Sequence, residues 1–380
     1  MSIERHYFPG NNTPKGFYSY YSHILGQREA NRIICIKGGP GTGKSTFLRR
    51  IGEDFAGKGE DVDFLHCSAD ENSLDGIVLH GKKAALIDAT SPHMTDPISP
   101  GAVDKIINLG EYWDEKAIAV NKTRIIDYSE ETARWYRICY NYLSAAKSIS
   151  RSMEELYNES AECSELYRAI ASIVETEFRD YDISLRPGKK KRFFASAITA
   201  SGTVHYLDSL LTGIPGRDSE EERKWKRIYI ISAPAGYSTA SFMEILSEGA
   251  IYRGLDIEAY YCAMSPDEKI EHLLIPAAGT AFITVNKYHD LEPWEICREG
   301  QELVLMDAED YMDSVKLEEN RSLISAMQEE YDSLLGRAVR CLEKAKSIHA
   351  AVEAMYIPNM DFAEVEKLRE QVCTELNELK

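Results

Sequence analysis

A chain of 380 residues, 44% hydrophobic and 28% charged, has room for two or three domains and the mixture of a globular fold. Its 44 Lys and Arg against 62 Asp and Glu leave a net charge of −18, which repels phosphate backbones and excludes a broad nucleic-acid surface. No apolar run nears the roughly 18 residues that span a bilayer, and Met1–His6 lacks the apolar core of a signal peptide.

In chain order, strands are predicted near Arg5–Pro9, Arg32–Lys37, Val62–Cys67, Ala84–Asp88 and Ile106–Leu109, with a helix after the first of them. A second helix is predicted after Thr46, where Phe47, Leu48, Ile51 and Phe55 share a face. Residues 111–180 read as mostly helical. Strands alternating with helices imply an α/β fold with a parallel sheet.

The pattern then repeats. Arg32–Cys67 aligns without a gap on Arg227–Cys262, with Gly41 on Gly236, Phe47 on Phe242 and Gly59 on Gly254. After one inserted residue, Ala85–Asp88 aligns on Ala281–Thr284 and His93 on His289. Upstream, Phe8, Thr13, Gly16 and Tyr20 align on Phe194, Thr199, Gly202 and Tyr206. The helical parts repeat as well: Cys139, Tyr142, Ala146, Ile149, Met153 and Leu156 correspond to Ala338, Cys341, Ala345, Ile348, Val352 and Met355. Each set forms a short apolar seam that suits one arm of an antiparallel hairpin, or simple core packing. The expectation is two tandem P-loop NTPase-type parallel-sheet domains, 1–185 and 186–380, each with an appended helical hairpin, the second at about 308–380. The basic run Lys189–Arg192 reads as a solvated boundary between them.

The strongest local signal is Gly38-Gly39-Pro40-Gly41-Thr42-Gly43-Lys44-Ser45-Thr46, a full match to the phosphate-binding loop, placed between an apolar strand and a helical pattern. Glycines let backbone N–H groups turn inward around phosphates, and a helix N-terminus favours an anion. Lys44 is the catalytic cation for the β- and γ-phosphates, and Ser45 offers a hydroxyl to Mg²⁺. Asp88, at the end of a buried strand, is the matching Mg²⁺-side acid, or else a turn cap. Ala89 follows it where many strong ATPases carry Glu, so the water-activating group is unassigned, with Asp70, Asp75, His93 and Asp96 as candidates. Asn121–Arg124 and Asn286–His289 both fail the guanine-reading pattern at its fourth position, which favours ATP.

In the second copy Lys44 becomes Thr239, Ser45 becomes Ala240, Gly43 becomes Ser238 and Asp88 becomes Thr284. Phosphate charge there has little to compensate it, so this copy reads as a pseudo-NTPase scaffold or regulator. His66-Cys67 and His93-x-x-Asp96 lack the spacing of a structural metal site. The eight scattered cysteines and the missing leader suit a reduced, cytoplasmic protein.

Gly38–Thr46, Ile87–His93, Pro100–Gly110 and Phe194–Gly202 resemble bacterial tandem P-loop ATPase-like proteins of unassigned function. That resemblance implies an ATP-binding, ATP-hydrolysing double-domain protein with Mg²⁺ as cofactor. The family often keeps an intact loop in its second half, and this chain departs from it there. Three functions stay open: an ATPase or nucleotide switch whose hairpins or second half meet a protein partner, a small-molecule kinase, and an assembly protein with structural ATP.

Overall fold

The computed structural model describes residues 2–91, 95–217, 219, 222–292, 296 and 299–379. Among them it contains two mixed six-stranded sheets, two small hairpins and eight α-helices. The first half holds β1 (Glu4–Tyr7), β2 (Gly10–Thr13), β3 (Gly16–Ser19), β4 (Arg32–Lys37), α1 (Lys44–Ala56), β5 (Val62–His66), β6 (Leu74–Leu79), β7 (Ala84–Asp88) and β8 (Asp104–Asn108). Helices α2 (Glu115–Ala119), α3 (Lys122–Ser160) and α4 (Cys163–Phe178) follow. The second half holds β9 (Lys190–Phe193), β10 (Ser196–Thr199), β11 (Gly202–His205), α5 (Leu207–Leu210), β12 (Arg227–Ser232), α6 (Ala240–Ile251), β13 (Ile257–Cys262), β14 (Ser265–Ile275), β15 (Thr280–Val285) and β16 (Glu302–Asp307). Helices α7 (Ser314–Tyr356) and α8 (Phe362–Glu378) close the chain.

The sheet orders are β1-β5-β6-β7-β4-β8 and β16-β12-β15-β14-β13-β9, the same sequence of roles in both halves. Both sheets are mixed rather than parallel, because β6 and β14 run antiparallel to both of their neighbours. The strand missed in sequence, Leu74–Leu79, is buried along its whole length. It follows β5 through a short turn at Asp70–Ser73, too short for the crossover that a parallel strand requires. The basic run Lys189–Arg192 is not merely a boundary: most of it forms β9, the edge strand beside β13. The helix expected after the first strand is instead the β2–β3 hairpin.

Strand alternation sets the layers. In β4, Ile34 and Ile36 face a core with Phe47, Leu48, Ile51 and Phe55 of α1. Ile33 and Cys35 face the opposite way, into a core that also holds Ile228 and Ile230 of β12 and Ile283 of β15. The inner faces of the two sheets therefore share one continuous apolar core.

The helical arms are exchanged. Ile170, Ile173 and Phe178 of α4 pack with Tyr229, Phe242 and Leu246 of the second half. Val365, Val372 and Leu376 of α8 pack with Ile34, Phe47 and Ile51 of the first. Each half therefore does not carry its own hairpin. Instead α3 pairs with α7, one arm from each half, burying Cys139, Leu143, Ala146 and Met153 in a core with Leu335, Ala338 and Cys341. The pair runs antiparallel. At one end Asp114 N–H donates to Asn359 O and Asp361 N–H to Tyr112 O, both at 2.8 Å. At the other, Glu162 N–H donates to Tyr311 O at 2.8 Å and Asp313 N–H to Ser160 O at 2.7 Å. The repeated seam residues are thus largely buried against one another rather than offered to a partner. Among the described residues, no helix is long and apolar enough to cross a membrane.

Candidate functional site

The segment Gly38–Thr46 connects the end of β4, between β7 and β8, to the first turn of α1. Gly43 caps α1 with φ +84°, in the left-handed region, and no side chain caps the helix start. The orphan N–H groups of that turn are what an anion needs. Gly41 has φ +68°, and a Cβ there would stand 2.9 Å from Ile357 Cγ1 and 3.0 Å from Glu353 O, so only glycine fits.

Lys44 Nζ donates to the carbonyls of Gly38 at 2.9 Å and Gly39 at 3.0 Å, and lies 3.7 Å from Asp88 Oδ2. Asp88 ends β7, the immediate neighbour of β4. Its Oδ1 accepts the Thr90 N–H at 2.8 Å, and Thr90 Oγ1 donates to Gly38 O at 3.1 Å. Asp88 thus caps the turn through Oδ1, while Oδ2 faces the lysine. Ser45 Oγ accepts the Leu74 N–H at 2.9 Å, which brings the Asp70–Ser73 turn against the loop. Thr42 is buried and bonds Gly39 O at 2.9 Å, while Thr46 is exposed. Ser45, in the first turn of α1, and Asp88, at the end of β7, are oxygen-bearing side chains that could hold a divalent cation, beside a lysine and a helix N-terminus that suit phosphate.

The candidates for water activation disperse. Asp70 accepts from Ser73 Oγ at 3.1 Å and from Lys346 Nζ at 2.9 Å. Burial alone raises its pKa, yet the bonds and charge of Lys346 outweigh this and hold it below the usual range. Asp75 is buried beside Tyr21 and Cys67, whose pKa values burial pushes well up, with that carboxylate adding to the effect. Asp96 is exposed and pairs with Lys37 at 3.5 Å. His93, Pro92 and Met94 lie outside the described residues.

Residues of both halves complete the surroundings. A Cβ on Gly39 would meet Trp113 at 3.2 Å and Tyr356 at 3.3 Å, and one on Gly43 would meet Phe362 at 3.2 Å. The loop is thus flanked by the end of α7 and the start of α8. The second half mirrors this, with Met153 of α3 standing over Gly236.

At the second loop the positions of Lys44 and Asp88 are taken by Thr239 and Thr284, whose hydroxyls lie 3.4 Å apart. The adjoining cavity, about 100 Å³, is lined by Asn158, Tyr167, Tyr237, Ser238, Thr239 and Ser241 among others, with no charged side chain.

Sequence reading missed a buried cluster here. The ligand-type atoms of Glu271, His272 and His289 lie within 4.8 Å of one another. His289 Nε2 is 3.0 Å from Ser196 Oγ and 3.5 Å from Glu271 Oε2. His272 Nδ1 accepts the Thr284 N–H at 3.2 Å, so the neutral ring keeps its proton on Nε2. That nitrogen and His289 Nδ1 are both buried and, among the described residues, have no hydrogen-bond partner, so the cluster holds two unsatisfied imidazole nitrogens. The other flagged pair, His66-Cys67, engages elsewhere: His66 Nδ1 donates to Glu71 O at 2.7 Å and Nε2 accepts from His6 Nδ1 at 2.9 Å. Among the described residues the seven cysteines are free thiols.

Comparison with protein-family models, with curated proteins and with solved structures gives no match to this chain.

Proposed function

We propose that the first half binds Mg-ATP at Gly38–Thr46 as a P-loop site and hydrolyses it, the second half being a degenerate copy that supports and covers that site. One observation carries the reading. Lys44 and Asp88 meet at 3.7 Å where a glycine-rich loop enters a helix, whereas the equivalent Thr239 and Thr284 meet at 3.4 Å without charge. The same backbone plan occurs twice, and only one copy has the groups that phosphate and Mg²⁺ require. Ser45 and Asp88 would hold the cation, Lys44 would neutralise the β- and γ-phosphates, and the backbone N–H groups of Gly41–Ser45 would cradle them. The α3–α7 pair, anchored over both loops, is the element through which a change at the first site reaches the second.

The test is phosphate release by the purified chain with Mg-ATP, together with nucleotide affinity. Turnover that Lys44→Ala abolishes supports the reading. Tight binding without turnover favours a structural nucleotide, and transfer to a metabolite instead of water favours a kinase.

A further inference from the structure

We propose that Lys346, carried on α7 from the second half, is the cation that meets the terminal phosphate of a nucleotide held by the first half. This rests on the reading of Gly38–Thr46 as a Mg-ATP site and adds a residue that the sequence offers no reason to choose.

Position is the first argument. Lys346 Nζ donates to Asp70 Oδ1 at 2.9 Å, Asp70 Oδ2 accepts from Ser73 Oγ at 3.1 Å, and the next residue, Leu74, donates its N–H to Ser45 Oγ at 2.9 Å. Three hydrogen bonds therefore connect Lys346 to the Ser45 hydroxyl, which would hold Mg²⁺. The same helix continues about 10 Å further to Glu353, whose carbonyl lies against Gly41. Lys346 thus sits on a helix that runs from the turn beside Ser45 to the outer side of the loop.

Charge is the second. Phosphoryl transfer spreads negative charge over the γ-oxygens, and a second cation beyond the loop lysine is the usual means of stabilising it. Burial lowers the pKa of Lys346, but the bond to Asp70 outweighs this and keeps it protonated. Its side chain remains 38% exposed and that of Asp70 35%, so the pair is open to competition from a phosphate oxygen.

The repeat supplies the third. Lys147 of α3 holds the corresponding place over the second loop, where it bonds Ser265, three residues beyond Cys262 as Asp70 is three beyond Cys67. The lysine occurs in both arms, but the position that holds Asp70 beside the first loop holds Ser265 beside the second.

In the step itself, water oxygen bonds to the γ-phosphorus while the bond from phosphorus to the β–γ bridging oxygen breaks. ADP leaves with that electron pair, and the proton lost by the water ends on phosphate or solvent. Lys346 neither gains nor loses a proton; it moves from Asp70 to the γ-oxygens.

The experiment uses the full chain as wild type, Lys346→Ala, Lys346→Arg and Lys147→Ala. It measures turnover and the affinities for ADP, for a non-hydrolysable ATP analogue and for ADP with aluminium fluoride. Lys346→Ala should lower kcat about 100-fold, leave KM and ADP affinity within about threefold, and lose the preference for the fluoride complex over ADP. Lys346→Arg should retain part of the rate, and Lys147→Ala all of it. Turnover by Lys346→Ala within threefold of wild type overturns the proposal. So does an equal loss of ADP and analogue affinity, which would assign Lys346 to anchoring the Asp70 turn. If wild type binds nucleotide without turnover, the analogue preference decides alone. A wild type that binds no nucleotide sinks the Mg-ATP reading itself, and this proposal with it.

Discussion

Phe8 donates its N–H to the Phe194 carbonyl at 2.9 Å and accepts the Phe194 N–H at 3.0 Å. The two residues are equivalent in the repeat, so this reciprocal bridge marks a local two-fold relation between the halves. Both rings are fully buried in one core. Around the bridge, Asn11 Nδ2 donates to Ser196 O at 2.8 Å and Asn12 Nδ2 to Ile198 O at 2.9 Å. Since the sheets also share a core, the halves should unfold together. Urea denaturation followed by fluorescence and by far-UV circular dichroism should give one coincident transition, and Phe8→Ala should shift it whole by about 3–5 kcal/mol. Two separated transitions would show that the halves are thermodynamically independent.

The two loops should respond unequally to substitution. Lys44→Ala should weaken Mg-ATP binding at least tenfold, or about 1.4 kcal/mol. Thr239→Ala removes a hydroxyl from a cavity without charged lining, and its nucleotide affinity should stay within twofold of wild type. Titration calorimetry on both variants checks this. Equal losses would mean that the second loop takes part in binding.

Arg5 joins the halves by charge. It donates to both carboxylate oxygens of Asp63 at 2.9 Å and to Glu258 Oε2 at 2.8 Å. Tyr7 also donates to Asp63, at 2.8 Å, and Tyr260 to Glu258, at 3.0 Å. Burial would raise the pKa of Asp63, but Arg5 and His80 hold it well below the carboxylate range. Removing Arg5 takes the guanidinium from two carboxylates and leaves enclosed Asp63 with only His80 and the Tyr7 hydroxyl beside it. Arg5→Ala should cost about 3–5 kcal/mol by chemical denaturation. A loss below 1 kcal/mol would mean that water reaches the seam and replaces the guanidinium.

Acid should loosen the same seam. Burial lowers the His66 pKa to about 4, and His6, its hydrogen-bond partner, is lowered mainly by burial too. Tyr206 of the second half packs against His66 with ring centroids 4.3 Å apart and the rings tilted by 32°. The unfolded chain takes up protons below about pH 6.5, while folded His66 stays neutral until about pH 4. Its contribution is therefore complete above pH 6.5 and declines between 6.5 and 4, by at most about 3 kcal/mol. Melting curves across this window should slope less for His66→Gln than for wild type; parallel slopes would remove His66 as the cause.

What the sequence made legible was local. Gly38–Thr46 carries its loop, helix cap and lysine within nine consecutive residues, so the strand–loop–helix junction was readable. The matched positions also announced the repeat. The helix exchange was not readable, because the spacing of Ile170, Ile173 and Phe178 says that a face is buried but not against which sheet. The β2 strand lies where the repeat pattern predicts a helix, yet Asn11, Asn12 and Thr13 are all buried in it. The Asn11 and Asn12 side-chain amides donate to Ser196 O and Ile198 O of the other half, which no local pattern records. Lys346 and Asp70 stand 276 positions apart, and Glu271 and His289 meet only because β14 and the turn after β15 converge.

The exchange of α8 also fixes an order of events during synthesis. The face of the first sheet that bears Ile34, Phe47 and Ile51 takes its cover from Val365, Val372 and Leu376, which the ribosome adds after every strand of both sheets. Until then the earliest-made half exposes an apolar surface and lacks Phe362 against Gly43 of its loop. A nascent chain stalled before Phe362 should therefore hold chaperones and lack the finished site, so that any nucleotide chemistry begins only once the last helix has docked.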